Sequence, residues 1–93
     1  MNTKLQSYFG FAIKSRAIVF GYDNLVKCNK SGVLIVFDGT FNEKMKSKLN
    51  RLARNKQWDI VKLDMPLFEI IGRNCKVVGI TDINLSNAIK QNI

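Results

Sequence analysis

Histidine is absent from this 93-residue chain, and proline occurs once. Without imidazole the commonest general base is missing, and so is every Ser-His or Cys-His couple. Most familiar hydrolytic chemistries are thereby excluded, and the expectation is a protein that catalyses nothing. Two cysteines, Cys28 and Cys75, lie far apart, and neither belongs to a CxxC pair. With no histidine to complete a ligand set, a zinc site would need unusual donors. Free buried thiols in a reducing compartment, with no metal and no cofactor, are the expectation. Glycines are scattered singly, so no Walker-type or dinucleotide-type phosphate loop exists. Long apolar runs are lacking too: the longest, Val33–Phe37, falls far short of the ~20 residues that span a bilayer. After Met1-Asn2-Thr3-Lys4 comes neither an apolar stretch nor a small-residue cleavage site, which points to a cytoplasmic chain.

Acidic residues are also scarce. Fifteen Lys and Arg stand against seven Asp and Glu, giving a net charge of +8 on a very small chain. An excess of that size says nothing about fold, but it biases the partner towards polyanions over neutral ligands. Apolar residues make up 46% of the chain in short, evenly spaced runs, a globular composition with material for one core and one domain over residues 1–93.

Those runs alternate between helical and strand periods. Leu5, Tyr8, Phe9, Ala12 and Ile13 mark a first amphipathic helix, which Lys14-Ser15-Arg16 interrupts. Ala17–Phe20 reads as a strand ended by Gly21. Asp23 or Asn24 then caps a short helix that turns Leu25 and Val26 inward. Beyond Ser31-Gly32, Val33–Phe37 has the unbroken, β-branched composition of a strand buried on both faces. Asp38-Gly39-Thr40 is a turn, where Asp38 lacks the acid partner a catalytic carboxylate would need.

Asn42 opens the clearest helix, with Met45, Leu49, Leu52 and Ala53 on one stripe. Its other faces carry Lys44, Lys46, Lys48, Arg51, Arg54 and Lys56 against Glu43 alone. Such a surface is either an ordinary solvated face or a secondary attractor of phosphate. Trp58–Leu63 is a third strand, with Trp58 as a core anchor. Asp64-Met65-Pro66 starts a helix that turns Leu67, Ile70 and Ile71 inward and closes at Gly72. Lys76–Thr81 is a fourth strand, and a last helix from Asn84 packs Leu85, Ala88 and Ile89. The order predicts an α/β fold, a three-layer α-β-α sandwich around four strands.

Three segments leave polar and basic groups at element ends, where binding residues concentrate, one of them Lys14-Ser15-Arg16 just before the first strand. In Gly21-Tyr22-Asp23-Asn24-Leu25-Val26-Lys27, the glycine permits close backbone approach, and Asp23 and Asn24 can read base edges. Lys27 and Lys30 follow at spacings that suit a phosphate backbone. The third segment, Gly72-Arg73-Asn74-Cys75-Lys76, is a small cationic loop suited to phosphate or an unstacked base. A plainly capped helix and a merely basic turn would look the same taken singly.

Four stretches in order carry a resemblance. Tyr8–Arg16, Gly21–Lys27, Asp38-Gly39-Thr40-Phe41-Asn42 with Lys44 and Lys46, and Leu67–Asp82 together resemble the kink-turn-binding ribosomal-protein superfamily. That superfamily includes the archaeal "L-seven-Ae" and "L-thirty-e" types, and the chain is most similar to its short bacterial YlxQ-type members. The resemblance implies a mixed four-stranded sheet between helices and the binding of a sharply bent RNA with tandem G·A pairs. Regular A-form RNA hides its base edges in a deep, narrow groove, which a kink opens.

Carried over by position, Gly21 and Tyr22 would approach the G·A pairs. Asp23 and Asn24 would contact base edges, and Lys27 a phosphate or guanine, with Lys30 beyond it. Ile71, Gly72, Arg73, Asn74 and Lys76 would cover the extruded nucleotide. The implied partners are ribosomal or other kink-turn RNA, with ribosomal proteins as neighbours, for a chain that is monomeric when free. Strong binders in the family carry Asn then Glu where this chain has Asp23 then Asn24, and its stretch between Lys27 and Val33 is about two residues shorter. An alternative follows from that departure: a protein-interaction subunit that keeps the fold without kink-turn reading.

Overall fold

A single sheet organises the chain through one antiparallel-antiparallel-parallel sequence of pairings. The computed structural model describes residues 3–40 and 42–93, Thr3 by its backbone alone. Met1 and Asn2 of the opening segment and Phe41 of the strand-exit segment lie outside the described residues. The elements are α1 (Thr3–Lys14), β1 (Ile18–Phe20), α2 (Tyr22–Lys27), β2 (Leu34–Asp38), α3 (Glu43–Lys56), β3 (Asp59–Leu63), α4 (Leu67–Ile71), β4 (Val77–Ile80) and α5 (Ile83–Gln91). Strand order is β1-β4-β2-β3. β4 lies antiparallel to both β1 and β2, while β2 and β3 run parallel through the α3 crossover. The sheet is therefore mixed and four-stranded, as expected.

Alternation along the strands divides the apolar residues between two faces. Leu34, Val36, Leu63, Val78 and Ile80 point to the side where Leu5, Phe9 and Ala12 of α1, Leu67 of α4 and Ile89 of α5 are buried. Ile35, Phe37 and Val77 point to the other, against Leu25 of α2 and Leu49, Leu52 and Ala53 of α3. β2 is buried at all five positions, in keeping with its unbroken apolar run. Each fully buried Leu, Ile or Phe stabilises such a core by about 1.5–3 kcal/mol. Trp58 immediately precedes β3, 6% exposed, and its indole N–H donates to the Lys30 carbonyl at 2.9 Å, so it is a core anchor. No helix among the described residues is long and apolar enough to cross a membrane.

Chain ends of the helices account for most of the remaining local structure. Asn42 caps α3, its Oδ1 accepting from the Met45 amide at 2.8 Å. Asp82 caps α5, accepting from the amides of Asn84 and Leu85 at 2.8 and 3.0 Å. Lys14-Ser15-Arg16 terminates α1: the Ser15 hydroxyl donates to the Phe11 carbonyl at 2.7 Å, and Arg16 takes φ 61°. That basic triplet is a helix stop, as its break in periodicity suggested.

Three local expectations need correction. Neither Asp23 nor Asn24 caps α2. Gly21 occupies the cap position with no side-chain bond, and α2 begins at Tyr22. Val26 does not face inward either, being 44% exposed. Successive residues of a helix lie about 100° apart, and so short a helix covers the sheet with Leu25 and part of Tyr22, leaving Val26 outside. Cys28 and Cys75 are free thiols, but both are half-buried, since each lies in a segment that leaves a short helix at the edge of the core.

Candidate functional site

β1 ends where β4 begins, and this brings together two segments that are half the chain apart. Phe20 pairs with Val78 in the antiparallel ladder. The next residue, Gly21, donates its amide to the Val77 carbonyl at 3.1 Å. The loop that leads into β4, residues 72–76, therefore lies against the start of α2. Across this junction the Arg73 guanidinium sits over the Phe20 ring, 4.4 Å from its centroid. An arginine held flat on an aromatic face keeps its N–H edge free for phosphate or a base.

Gly21 makes the corner possible. Its φ of 86° and ψ of 157° fall in a region essentially reserved for glycine. From there its amide reaches β4 while its carbonyl accepts from the Leu25 amide at 3.2 Å, starting α2. Because no side chain caps the helix, its first-turn amides have no side-chain partner. Asn24 turns back instead, its Nδ2 donating to the Phe20 carbonyl at 2.8 Å. This orients the Asn24 side-chain oxygen away from the bonded carbonyl. Asp23 is exposed beside it.

On the facing loop, Gly72 ends α4 in the left-handed conformation, φ 70°, with its amide donating to the Phe68 carbonyl at 2.9 Å. Arg73, Asn74 and Lys76 are exposed in the turn that follows. Between them the Cys75 thiol donates to the Val77 carbonyl at 3.0 Å. Lys76 is fixed through its backbone, whose carbonyl accepts from the Asp38 amide at 3.1 Å.

Of the residues singled out from the sequence, Gly21, Asp23, Asn24, Gly72, Arg73, Asn74 and Lys76 thus share one end of the sheet. Tyr22 and Ile71 are half-buried, and pack on opposite faces of the core beneath that end. Lys27 lies in the last turn of α2, a helix length away from Gly21. Lys30 is not part of the group. Its carbonyl holds Trp58, which precedes β3, so it sits at the opposite end of the sheet. A six-residue helix, about 9 Å long, has carried the chain away from Gly21 by then.

Asp38, read from the sequence as a turn or capping residue, fills that role and extends it across the fold. It is 2% exposed and spends both carboxylate oxygens on the backbone and on its neighbour. Oδ1 accepts from the Thr40 amide at 2.9 Å and from the Thr40 hydroxyl, and Oδ2 accepts from the Leu67 amide at 3.0 Å. This is a clamp on the loops at the site's end of the sheet, a capping role. Among the described residues no group of three or more Cys, Asp or Glu is placed to hold a metal ion.

No protein-family model matches the chain, and no curated protein matches it. A solved structure from Bacillus halodurans, of a protein with unknown function, is similar in fold. It superposes with a TM-score of 0.83, covering 97% of this chain and 96% of its own, at 21% sequence identity. Likeness at that identity extends to the whole architecture and is a likeness of fold alone.

Proposed function

We propose that the protein binds structured, kink-turn-like RNA without catalysis, as a ribosome-associated or other ribonucleoprotein component. One observation carries the reading. The Gly21–Asn24 corner and the Arg73-Asn74-Lys76 loop, far apart in sequence, converge on one exposed edge through the Gly21–Val77 hydrogen bond and the Arg73–Phe20 stack. The edge offers amide, carboxylate and guanidinium groups together. A carboxylate and an amide can pair with base edges, and the cations can meet the phosphates that flank them. The chain's resemblance to the kink-turn-binding superfamily, carried by these same segments, supports the same partner. A bound protein of this kind would stabilise a bent RNA conformation that the free RNA populates only in part.

A second reading, a protein-interaction subunit of the same fold, is favoured by Phe68. This α4 residue is 59% exposed one turn before the Arg73 loop, an apolar group that a protein partner would cover more readily than RNA. Titration of the protein into a consensus kink-turn RNA, and into a control with its G·A pairs made Watson–Crick, decides between them. Preference for the kinked RNA that is lost in Arg73→Gln and altered in Asp23→Asn is the expected result. Equal binding to both RNAs, unchanged by either substitution, would sink the kink-turn reading.

A further inference from the structure

The α3 helix carries more positive charge than its fold can use. Six of its residues are cationic and one, Glu43, is acidic. Two of the six are accounted for within the molecule. Lys46 pairs with Glu43 at 3.2 Å. Lys56 donates to the carbonyls of Val26 and Cys28 at 2.8 and 2.6 Å and lies over the Trp58 ring. The other four, Lys44, Lys48, Arg51 and Arg54, are exposed and make no ion pair among the described residues.

Their spacing places them together. Positions 44, 48, 51 and 54 follow one another at four, three and three residues, so each lies beside the next on the solvent side of the helix. The buried residues Leu49, Leu52 and Ala53 occupy the opposite side. Like charges at these separations repel, and a helix evolved only for solubility interleaves the two signs. Lys44 is placed against the interest of the helix as well. It stands in the first turn, at the positive end of the dipole, where a cation is unfavourable. The stripe runs about 15 Å along the axis, from Lys44 to Arg54, and the other exposed residues on and beside it are Glu43, Ser47, Asn50 and Asn55. With no large apolar side chain among them, the face has nothing to insert into a bilayer.

We infer that this face of α3 is a second RNA-contact surface, which holds the phosphate backbone of a duplex arm without reading its sequence or bend. The inference rests on RNA as the partner class of the Gly21–Lys76 edge, but it assigns a different face and a different role. The edge discriminates between RNAs, and α3 supplies affinity that falls with salt.

The test replaces Lys44, Lys48, Arg51 and Arg54 by Gln in the full chain. Binding is measured to a kink-turn RNA, a plain RNA duplex of equal length and vesicles of anionic lipid, each at several salt concentrations. The expected result is an affinity lower by about tenfold or more for both RNAs, with the ratio between them unchanged. The slope of log affinity against log salt should fall by roughly 0.7–0.9 for each phosphate that the variant no longer neutralises. The melting temperature should hold or rise, since the exposed positions lose repulsion and no packing. Wild-type affinity and slope on both RNAs would overturn the inference. So would a loss confined to vesicles, which would make the face a membrane surface. If the wild type binds the duplex and the kinked RNA equally and the variant binds neither, the kink-turn reading falls and the α3 surface stands. If the wild type binds neither RNA at low salt, both fall.

Discussion

The Asp38 carboxylate accepts a hydrogen bond from the Leu67 amide at 3.0 Å, across 29 residues of sequence. This one contact ties the end of β2 to the start of α4, while the other oxygen of the same side chain holds Thr40. Proline at position 66 leaves the helix start without a side-chain cap of its own, so Asp38 supplies the acceptor from a distance. Asp38→Ala strands the amides it serves and is expected to cost about 1–3 kcal/mol in urea-induced unfolding. Asp38→Asn keeps an acceptor for one side but turns its NH2 towards a donor on the other, so it should lose a part of the same stability. A change below about 0.5 kcal/mol, the size of a surface substitution, would refute the clamp.

Close packing of α2 depends on the missing side chain of Gly79. A Cβ at that position would collide with the Leu25 side chain and sit 3.1 Å from the Val33 Cγ1. Both neighbours are buried, so neither can swing into solvent. Gly79→Ala should therefore destabilise by about 1–3 kcal/mol through overpacking. Combining it with Leu25→Val should cost less than the sum of the single changes, because the two sites share one space. Additive costs in the double mutant would place the strain elsewhere.

Lys56 offers a control within the basic helix. Its ammonium group binds two carbonyls at the α2 C-terminus and faces the Trp58 ring at 5.1 Å. Lys56→Met keeps most of the stem and removes those bonds, for an expected loss of about 1–3 kcal/mol of stability. Its salt dependence of RNA binding should match the wild type's. The Gln substitutions along the exposed stripe should show the opposite pattern, changing binding and sparing stability.

At Gly21 the two effects should appear together. Any side chain there must adopt φ 86°, ψ 157°, and Gly21→Ala is expected to cost about 1–3 kcal/mol although nothing lies within 4 Å of the added carbon. Because the corner aims both Asn24 and the first turn of α2, RNA discrimination should fall as well. Hydrogen exchange at the Gly21 amide, which bonds to Val77, would report the corner opening. Unchanged protection there would count against a backbone origin for either loss.

Much of this architecture was legible because its signals are local and periodic. The Val33–Phe37 run announced a strand buried on both faces, and Asn42 announced the start of α3, since each needs only neighbouring residues to act. Failures came where a local rule met a geometric limit. Asp23 and Asn24 are good capping residues, but Gly21 already held the chain by its backbone bond to β4, and α2 started without them. Lys27 and Lys30 looked like neighbours of Gly21, yet α2 carries the chain away from that corner towards Lys56, Trp58 and the far end of the sheet. The candidate edge was legible as two loops and not as one surface. Nothing in the sequence pairs Arg73 with Phe20, a contact that exists only once β1 and β4 lie side by side. Asp38 was readable as a turn residue, while its reach to Leu67 needed the third dimension.

The order β1-β4-β2-β3 leaves two strands with one unpaired side each, and both are poor templates for another chain. β1 is three residues long, and β3 exposes Asp59 and Lys62 along its length. Short edges and outward charges are how natural sheets resist joining edge to edge into aggregates. They also close off recognition by strand addition, in which a partner's extended peptide would continue the sheet. Crowding copies of the protein together should therefore not seed fibres through the sheet.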